Sequence, residues 1–284
     1  MKLLTINAHS LQEEEQEKKM ECFVSFVLRE KIDLIAMQEV NQTAGAPEAE
    51  PSLAEGMFRL SDQQIPLRND NHAARTAQLL RRAGADCYWA YLPVKLGYGR
   101  FDEGAALFSI GREIAEADVL RISRTNGYAD WKRRAILGIR LSGMEDWFYS
   151  VHMGWWNDSE EQFSAQWTRL QNGLREKKEA PVWLMGDFNS PAEIRGEGYD
   201  LIRAAGWHDL YDRAQEKCGH ATVWGAIDGW RGRDVQGGLR IDHIFLSRPV
   251  RVRRAMTVFD GKHEMRISDH AGVFIETEQS DQEE

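Results

Sequence analysis

Short apolar runs separated by polar turns recur along the chain, and longer amphipathic segments lie between some of them. The runs have the length of buried strands, and several end in glycine, proline or small polar residues that would stop a strand. They predict strands at 3–8, 34–38, 87–94, 103–108, 114–120, 132–141, 146–152, 181–185, 239–247, 251–259 and 271–276.

Helices are predicted at 13–30, 71–83 and 199–205, and a further helix is expected to begin at Asp158 or Ser159. In that further helix, Ser159 and Gln162 have the spacing of a capping box. Two of the four segments carry a clear apolar stripe at helical spacing. The stripes consist of Met20, Phe23, Val24, Val27 and Leu28 in the first helix and of Phe163, Trp167, Leu170 and Leu174 in the further helix.

Many strands interleaved with a few helices favour an α/β fold of two mixed sheets packed face to face, with the helices outside. With 284 residues, 42% of them hydrophobic, the chain can bury one large core, and no shift in composition marks a linker. We therefore expect one domain over residues 1–278 and a frayed acidic tail at 279–284. Residues 41–70 have no period and predict a long loop beside the site, which could act as a lid.

Composition and charge narrow the classes of protein further. The net charge of −9 and the pI near 5.5 argue mildly against a nucleic-acid-binding protein, which usually has a basic face. The three cysteines, Cys22, Cys87 and Cys218, form neither a metal-binding pair nor a disulfide framework, which fits a reducing cytoplasm. No apolar run is long enough to cross a bilayer, so we expect a cytoplasmic protein without a membrane partner.

Candidate chemistry begins where the strand at 181–185 ends. The chain continues there through Gly186, Asp187, Phe188 and Asn189 to a proline. Ligand sites in α/β sheets lie outside strand ends, so the carboxylate and the amide stand where chemistry is usually found. In isolation the two side chains would more often cap an Asx-turn. Polar residues at other strand ends favour the functional interpretation.

Four other strand ends carry residues of the same kind. They are Asn7, Glu39, the pair Asp242 and His243, and the pair Asp269 and His270. In this order the residues resemble the endonuclease/exonuclease/phosphatase superfamily of magnesium-dependent phosphoesterases, and the resemblance covers nearly the whole chain. It implies a four-layer α/β sandwich with the site at one end of the sheet pair.

A closer resemblance is carried by three further segments. Residues 95–100 (KLGYGR), 152–156 (HMGWW) and 227–231 (IDGWR) are similar to a bacterial branch of the superfamily that acts on sugar phosphates, typified by maltose 6'-phosphate phosphatase. The superfamily often has an amide or a carboxylate where His9 stands here, so the role of His9 stays open.

The resemblance implies roles for the polar set. Glu39 would be the main magnesium ligand with Asn7 beside it, Mn²⁺ could substitute, and Asp269 matches a position that can hold a second ion. Asp187 would orient and deprotonate the attacking water, and Asn189 would hold the phosphate or the nucleophile. Two imidazole–carboxylate pairs would flank the phosphate, Asp242 with His270 and Glu103 with His152.

Substrate contacts are harder to assign. Lys95 and Arg231 could hold a polar or charged end of the substrate, and Arg133 or Arg134 could contact the phosphate. The candidate sugar-stacking residues are Trp155, Trp156 and Trp230, of which we expect one to line the pocket. With ten tryptophans in the chain, most must pack in the core or in loops. His243 follows Asp242 directly on a strand and should point away from the site.

These residues favour a magnesium-dependent phosphatase, a phosphoric monoester hydrolase that acts on a small phosphorylated sugar such as maltose 6'-phosphate. A nuclease or abasic-site endonuclease with the same chemistry is the alternative, although nucleic acid is the less expected substrate. A binding module that has lost catalysis would lack some of the expected ligands, and none is missing.

Overall fold

The computed structural model of the chain describes residues 1–61, 64–224 and 237–278 and contains two mixed sheets packed face to face. The strands are β1 (Lys2–Asn7), β2 (Leu34–Thr43), β3 (Cys87–Gly97), β4 (Phe101–Ile110), β5 (Ile114–Arg121), β6 (Ala135–Leu141), β7 (Trp147–His152), β8 (Val182–Asp187), β9 (His208–Asp209), β10 (Ala214–Cys218), β11 (Asp242–Leu246), β12 (Val252–Val258) and β13 (Gly272–Thr277). The helices are α1 (Gln16–Glu30), α2 (His72–Arg82), α3 (Phe163–Gly173), α4 (Gly198–Ala204) and α5 (Leu210–Arg213).

The two sheets have the strand orders β10-β12-β13-β1-β2-β4-β3 and β5-β6-β7-β8-β11-β9. In the first sheet, β1 pairs in parallel with β2 and antiparallel with β13. In the second sheet, β8 pairs in parallel with β7 and antiparallel with β11. Strands β1 and β8 are therefore central in their sheets and covered on both faces, which explains why their sequences are continuously apolar rather than alternating.

Three apolar clusters define the four layers that the resemblance implies. One cluster, which includes Leu34, Leu107, Ile139 and Met185, fills the space between the two sheets. A second cluster packs α1 and α2 against the outer face of the seven-stranded sheet, and a third packs α3 and α4 against the outer face of the six-stranded sheet. The predicted α/β sandwich is confirmed.

Some predicted boundaries were wrong. Helix α1 begins at Gln16 rather than at residue 13, and its buried face contains Phe26, whereas Leu28 is 37% exposed. Helix α3 begins at Phe163 without a capping side chain, so the predicted capping box does not form. Asp158 instead accepts hydrogen bonds from the N–H groups of Glu160 and Glu161 in the turn before the helix.

The segment 41–70 is less open than its composition suggests. Strand β2 continues to Thr43, whose N–H donates to both carboxylate oxygens of Asp70, and a 3₁₀ turn at Pro51–Ala54 follows. Leu53 and Met57 pack against the cluster under α1 and α2. The described part of this segment is thus anchored to the sheet edge. No helix in the described part of the chain is both long and apolar enough to cross a membrane.

Candidate active site

One row of residues across the six-stranded sheet forms the centre of the site. Asp187, the last residue of β8, pairs in register with His152 on β7 and with Asp242 on β11. The row lies at the carboxyl ends of the parallel strands β7 and β8, the edge at which α/β sheets hold their ligands. Sheet pairing thus brings together three side chains that are up to 90 residues apart in sequence.

The turn after β8 holds Asp187 and Asn189 in a fixed arrangement. Oδ1 of Asp187 accepts a hydrogen bond from the N–H of Asn189 at 2.8 Å, which is the Asx-turn that the sequence allowed. Asn189 has a φ of +47°, and its side-chain Nδ2 donates to the carbonyl of Met153 at 3.0 Å. One oxygen of Asp187 therefore fixes the turn, while Oδ2 faces the site.

The other sheet supplies Asn7 and Glu39. Asn7 ends β1, and Glu39 lies in an irregularity of the β2–β4 pairing between Met37 and Val40, with a φ of +50°. Nδ2 of Asn7 donates to Glu39 Oε1 at 2.9 Å and to Asp187 Oδ2 at 3.2 Å. The amide of Asn7 therefore joins the two sheets at the site. Its oxygen, the atom that a metal ion would need, accepts from the N–H of His9 at 3.2 Å.

Crowded carboxylates make this region suitable for a cation. Burial, and then the neighbouring charge of Glu103, raise the pKa of Glu39, and burial followed by the charge of Asp242 raises the pKa of Asp187 to about 7. Ligand atoms of Glu39, His152 and Asp187 all lie within 4.8 Å of one another. Oxygen-rich sites of this kind suit hard divalent cations such as Mg²⁺, so the residues present fit the predicted metal.

Asp242 and His270 form the predicted imidazole–carboxylate pair. Nδ1 of His270 lies 2.9 Å from Oδ2 of Asp242, and both side chains are buried. Burial opposes a charge on the imidazole, but the charge of Asp242 and its hydrogen bond outweigh burial and raise the pKa of His270 to about 10. His270 is therefore a cation at neutral pH. Oδ1 of Asp242 is buried, and no described residue forms a hydrogen bond with it.

The predicted pair of Glu103 with His152 was wrong. Glu103 on β4 pairs in register with Lys95 on the neighbouring β3, and its Oε1 lies 3.0 Å from the lysine Nζ. Nε2 of His152 instead lies 3.9 Å from Glu39 Oε1 and 3.8 Å from Asp187 Oδ2. The lysine, a direct cross-strand neighbour, takes the carboxylate that the resemblance gave to the histidine.

His152 is neutral in this setting. Burial, together with the charges of Arg134, Lys95 and His270, holds its pKa well below the ordinary value. The site thus combines one neutral and one protonated imidazole on either side of Asp187. Such a pair can donate hydrogen bonds to an oxyanion from two directions.

A second group forms beside Asp269. Ligand atoms of Asp269, His9 and Glu13 lie within 4.8 Å of one another, and His9 Nδ1 is 2.7 Å from Glu13 Oε1. Glu13 also forms an ion pair with Lys19 at 2.5 Å. The approach of Glu13 to His9 was not predicted, because a helix was expected to begin at residue 13. In the structure the backbone is left-handed at His9 and Ser10, and the helix begins only at Gln16.

The residues predicted to bind substrate differ in their burial and contacts. Lys95 is buried against Glu103, and Trp230 and Arg231 lie outside the described residues. Trp156 packs on Phe163 of α3, with ring centroids 5.9 Å apart. Trp155 is half-buried, three residues beyond His152.

Sequence reasoning missed Trp131. It is 53% exposed, and its ring centroid lies 5.8 Å from that of Trp155. Its exposure could not be read from the sequence, because it lies in a loop without a periodic pattern.

Comparison with known proteins agrees with this geometry. The sequence profile described as the Endonuclease/Exonuclease/phosphatase family matches residues 4–270. No curated protein sequence matches the chain.

Solved structures with the same fold match nearly the whole chain. An endonuclease/exonuclease/phosphatase family protein from Leptotrichia buccalis is 27% identical with a TM-score of 0.82, and the match covers 98% of this chain and 100% of that one. A mannosyl-6-phosphatase from Bacteroides thetaiotaomicron is 17% identical with a TM-score of 0.65, covering 98% and 100% of the two chains. Truncated TDP2 from Caenorhabditis elegans is also 17% identical, with a TM-score of 0.58 and coverage of 98% and 97%. At 17% identity these last two matches show the fold alone.

Proposed function

Because the chain belongs to the endonuclease/exonuclease/phosphatase family, whose members hydrolyse phosphoesters, we propose that it is a divalent-metal-dependent phosphatase of small phosphorylated sugars. The observation that carries the proposal is the position of Asp187. Its Oδ2 accepts from Asn7 and lies 3.8 Å from Nε2 of His152, and the Asp242–His270 pair belongs to the neighbouring strand ends.

Asp187 is proposed to orient the attacking water and to take its proton. A general base acts best when its pKa is near the working pH, and burial among carboxylates raises the pKa of Asp187 to about 7. The hydrogen bond from the N–H of Asn189 holds the carboxylate in one orientation. The base is thus positioned before substrate arrives, which reduces the entropic cost of reaching the transition state.

His270 is proposed to stabilise the charge that builds on the phosphate oxygens. Its Nδ1 is held by Asp242, so its other nitrogen is the one left to donate. The raised pKa keeps the ring protonated at neutral pH, and a positioned cation in a buried site stabilises developing negative charge strongly. Asn189 and His152 are proposed to donate to the phosphate or the nucleophile from the other side.

Glu39 is proposed as the main metal ligand, with Asn7 beside it and Asp269 available for a second ion. When bound, Mg²⁺ or Mn²⁺ would supply positive charge to the phosphate oxygens and neutralise part of the carboxylate cluster. Glu39 is suited to this role because its pKa is raised by burial and by Glu103 and Asp269, repulsions that a bound cation would relieve.

Aromatic side chains, rather than charged ones, support a sugar phosphate as the proposed substrate. Trp155 follows the end of β7 by three residues, and the ring centroid of Trp131 lies 5.8 Å from that of Trp155. Indole faces of this kind pack well on the apolar faces of a sugar ring. The mannosyl-6-phosphatase with the same fold shows that the fold can serve such a reaction, although at 17% identity it does not assign the substrate.

A phosphate-release screen tests the proposal. Sugar phosphates, including maltose 6'-phosphate and mannose 6-phosphate, nucleotides and an abasic duplex would be compared with Mg²⁺, with Mn²⁺ and with chelator. We expect release from one or more sugar phosphates only with metal, and weak dependence on salt. Cleavage of the duplex with steep salt dependence, and no release from sugar phosphates, would instead establish the nuclease alternative.

A further inference from the structure

Arg134 is a buried cation that the proposed mechanism does not use. It precedes β6 directly and is 4% exposed. Its main chain is fixed by Ser123, whose Oγ accepts from the N–H of Arg134, and by Ile122, whose N–H donates to the carbonyl of Arg134. The guanidinium is therefore attached to a rigid strand end rather than to a mobile loop.

The hydrogen bonds of this guanidinium are incomplete. Nη1 donates to the carbonyls of Trp131 and Arg133 at 3.0 and 3.2 Å, and its carbon lies 5.9 Å from the ring of Trp155. Nε is buried and has no hydrogen-bond partner within the described ranges. Among the described residues, no carboxylate forms an ion pair with Arg134.

Comparison with the other buried cations shows that this is unusual. In the described ranges, Lys95, Arg134 and Arg240 are the buried lysine and arginine side chains. Lys95 lies 3.0 Å from Glu103, and Arg240 lies 2.9 Å from Asp209. A buried charge without a counter-ion costs several kcal/mol, roughly, unless a ligand supplies the opposite charge. Of the three, Arg134 is the one without an ion-paired carboxylate among the described residues, and the charge of Asp130 acts on it only at longer range.

The charge of Arg134 acts on the candidate active site. It contributes, after burial, to the lowered pKa of His152 and to the lowered pKa of Lys95. The burial of Arg134 is comparable to that of Asp187 and His270, the proposed base and the proposed cation, which are 2% and 5% exposed. The guanidinium lies 5.9 Å from the ring of Trp155, which follows the last residue of β7, His152, by three positions, so an anion held by Arg134 would lie near the end of β7.

We propose that Arg134 is a substrate-anchoring residue that binds the phosphate group of the substrate. The inference rests on the proposed function, because it takes the phosphate of a monoester as the missing anion. A guanidinium can donate two parallel hydrogen bonds to phosphate oxygens, which a buried ammonium cannot do, and such charge-assisted pairs are strong.

The neighbouring Arg133 provides a matched control. Its Nη1 donates to the carbonyl of Val94 at 2.7 Å, and its guanidinium lies 5.6 Å from the ring of Tyr128. It is half-buried and lines a different groove, formed with residues of β5 and of the segment after Met57. A change at Arg133 alters the local charge by the same amount without removing the proposed anchor.

Calorimetric titration with inorganic phosphate in the presence of Mg²⁺ tests the anchor without requiring turnover. We expect Arg134→Gln to weaken phosphate binding at least about tenfold, Arg134→Lys to weaken it about threefold or more, and Arg133→Gln to change it less than twofold. Thermal melting checks that each variant is folded, and Mg²⁺ affinity should be unchanged in all three. If Arg134→Gln does not fold, the Lys variant provides the test.

The outcomes separate this inference from the proposed function. Unaltered phosphate affinity in the folded Arg134 variants, an equal loss in Arg133→Gln, or no phosphate binding by the wild-type protein would overturn the anchor. Phosphate binding that depends on Arg134, together with no release from any sugar phosphate, would reject the proposed reaction and keep the anchor. Release of phosphate from a sugar phosphate by the wild-type protein, together with unaltered phosphate affinity in the Arg134 variants, would keep the proposed reaction and reject the anchor.

Discussion

At the scale of single residues, Asp187 shows how position sets chemistry. A surface aspartate is ionised at neutral pH, whereas burial and the charge of Asp242 raise the pKa of Asp187 to about 7. The same Asp242 also raises the pKa of His270, because its negative charge stabilises the protonated form of the imidazole. One buried carboxylate therefore tunes both the proposed base and the proposed cation.

Asp187→Asn and His270→Ala should each lower kcat/KM by about a thousandfold or more, because each removes a group that acts mainly in the transition state. Steady-state kinetics on the best sugar phosphate from the screen gives the loss, and thermal melting checks the fold. A variant that keeps a tenth of the wild-type activity would show that the residue has another role.

Trp131→Ala should raise KM for the sugar phosphate about fivefold to tenfold, since stacking against an exposed indole contributes on the order of 1 kcal/mol. A simple aryl phosphate, which has no sugar ring to stack, is the control substrate and should be little affected. Equal effects on both substrates, or no effect on the sugar phosphate, would remove Trp131 from the sugar contact.

At the scale of elements, the sequence predicted where some strands end, but it did not predict which residues pair across neighbouring strands. Asn7 and Asp187 could be placed at strand ends because apolar runs stop beside them, whereas Glu39 lies within β2, at its irregularity. The pairing of Lys95 with Glu103 could not be predicted, because it depends on the extension of β3 to Gly97, where a turn was expected. The left-handed conformation of Glu39 in the β2 irregularity also leaves no local signature.

Strands β7 and β8 approach closely at Gly186, the residue before Asp187. Gly186 has a φ of +150°, and a Cβ atom there would lie 2.0 Å from the carbonyl oxygen of Val151. Gly186→Ala should therefore lower the melting temperature strongly, with a cost of about 2 to 4 kcal/mol, and lower activity by displacing Asp187.

Gly84→Ala is the control for this substitution. Gly84 has a φ of +90°, and no atom of the described residues lies within 4 Å of an added Cβ, so alanine there has the cost of the backbone conformation without a steric clash. Its cost should be about 1 kcal/mol, with normal activity. Similar losses of stability in Gly186→Ala and Gly84→Ala would show that the close approach of β7 and β8 is not the cause of the loss at Gly186.

The β11 residue His243 points away from the site, as its position next to Asp242 predicted. Its Nε2 lies 2.9 Å from the carbonyl of Ser190, and its Nδ1 lies 2.9 Å from Nη1 of Arg240, which itself pairs with Asp209. Since the guanidinium can only donate, Nδ1 must accept and Nε2 must carry the proton. This network ties β11 to the turn that carries Asp187.

His243 should make stability depend on pH. Burial, and then the charge of Arg240, lower its pKa from 6.5 to about 3. Between these two values the unfolded chain binds a proton that the folded chain does not, so the free energy of unfolding falls as pH falls, by at most about 1.4 kcal/mol per pH unit. Denaturant titrations from pH 4 to 7 should give a flatter slope for His243→Gln. A slope equal to that of the wild type would contradict this assignment.

At the scale of the whole molecule, the face-to-face sheets explain why the site forms at one end of the sandwich. Asn7 and Glu39 come from one sheet and Asp187 from the other, and the amide of Asn7 bridges them. The fold class could be predicted because the motifs resemble a known family, and the same resemblance supplied the set of candidate site residues. The partners of His152, the burial of Arg134 and the exposure of Trp131 could not be predicted, because they depend on how the two sheets and their connecting loops pack.

A cation held between the two sheets should stabilise the entire fold. Saturating Mg²⁺ at about 100 times its Kd should add roughly 2.7 kcal/mol to the free energy of unfolding, and the melting temperature should rise accordingly. Glu39→Gln should bind Mg²⁺ more weakly by calorimetry and lose most of this rise, with little change in metal-free stability. A variant that binds Mg²⁺ as tightly as wild type would exclude Glu39 as a ligand.

The pairing of β1 with β13 has a consequence for the time course of folding. Lys2 lies opposite Glu276, so the second hydrogen-bonded neighbour of β1 is more than 270 residues away in sequence. Closing such a long loop is entropically costly, and topologies with distant pairings fold slowly. During synthesis, β1 can pair with β2 early, but it can pair with β13 only after β13 has left the ribosome. Ser268, whose Oγ donates to the carbonyl of Asn7, brings Asp269 and His270 to the candidate site only then, so the site is completed in the last phase of folding.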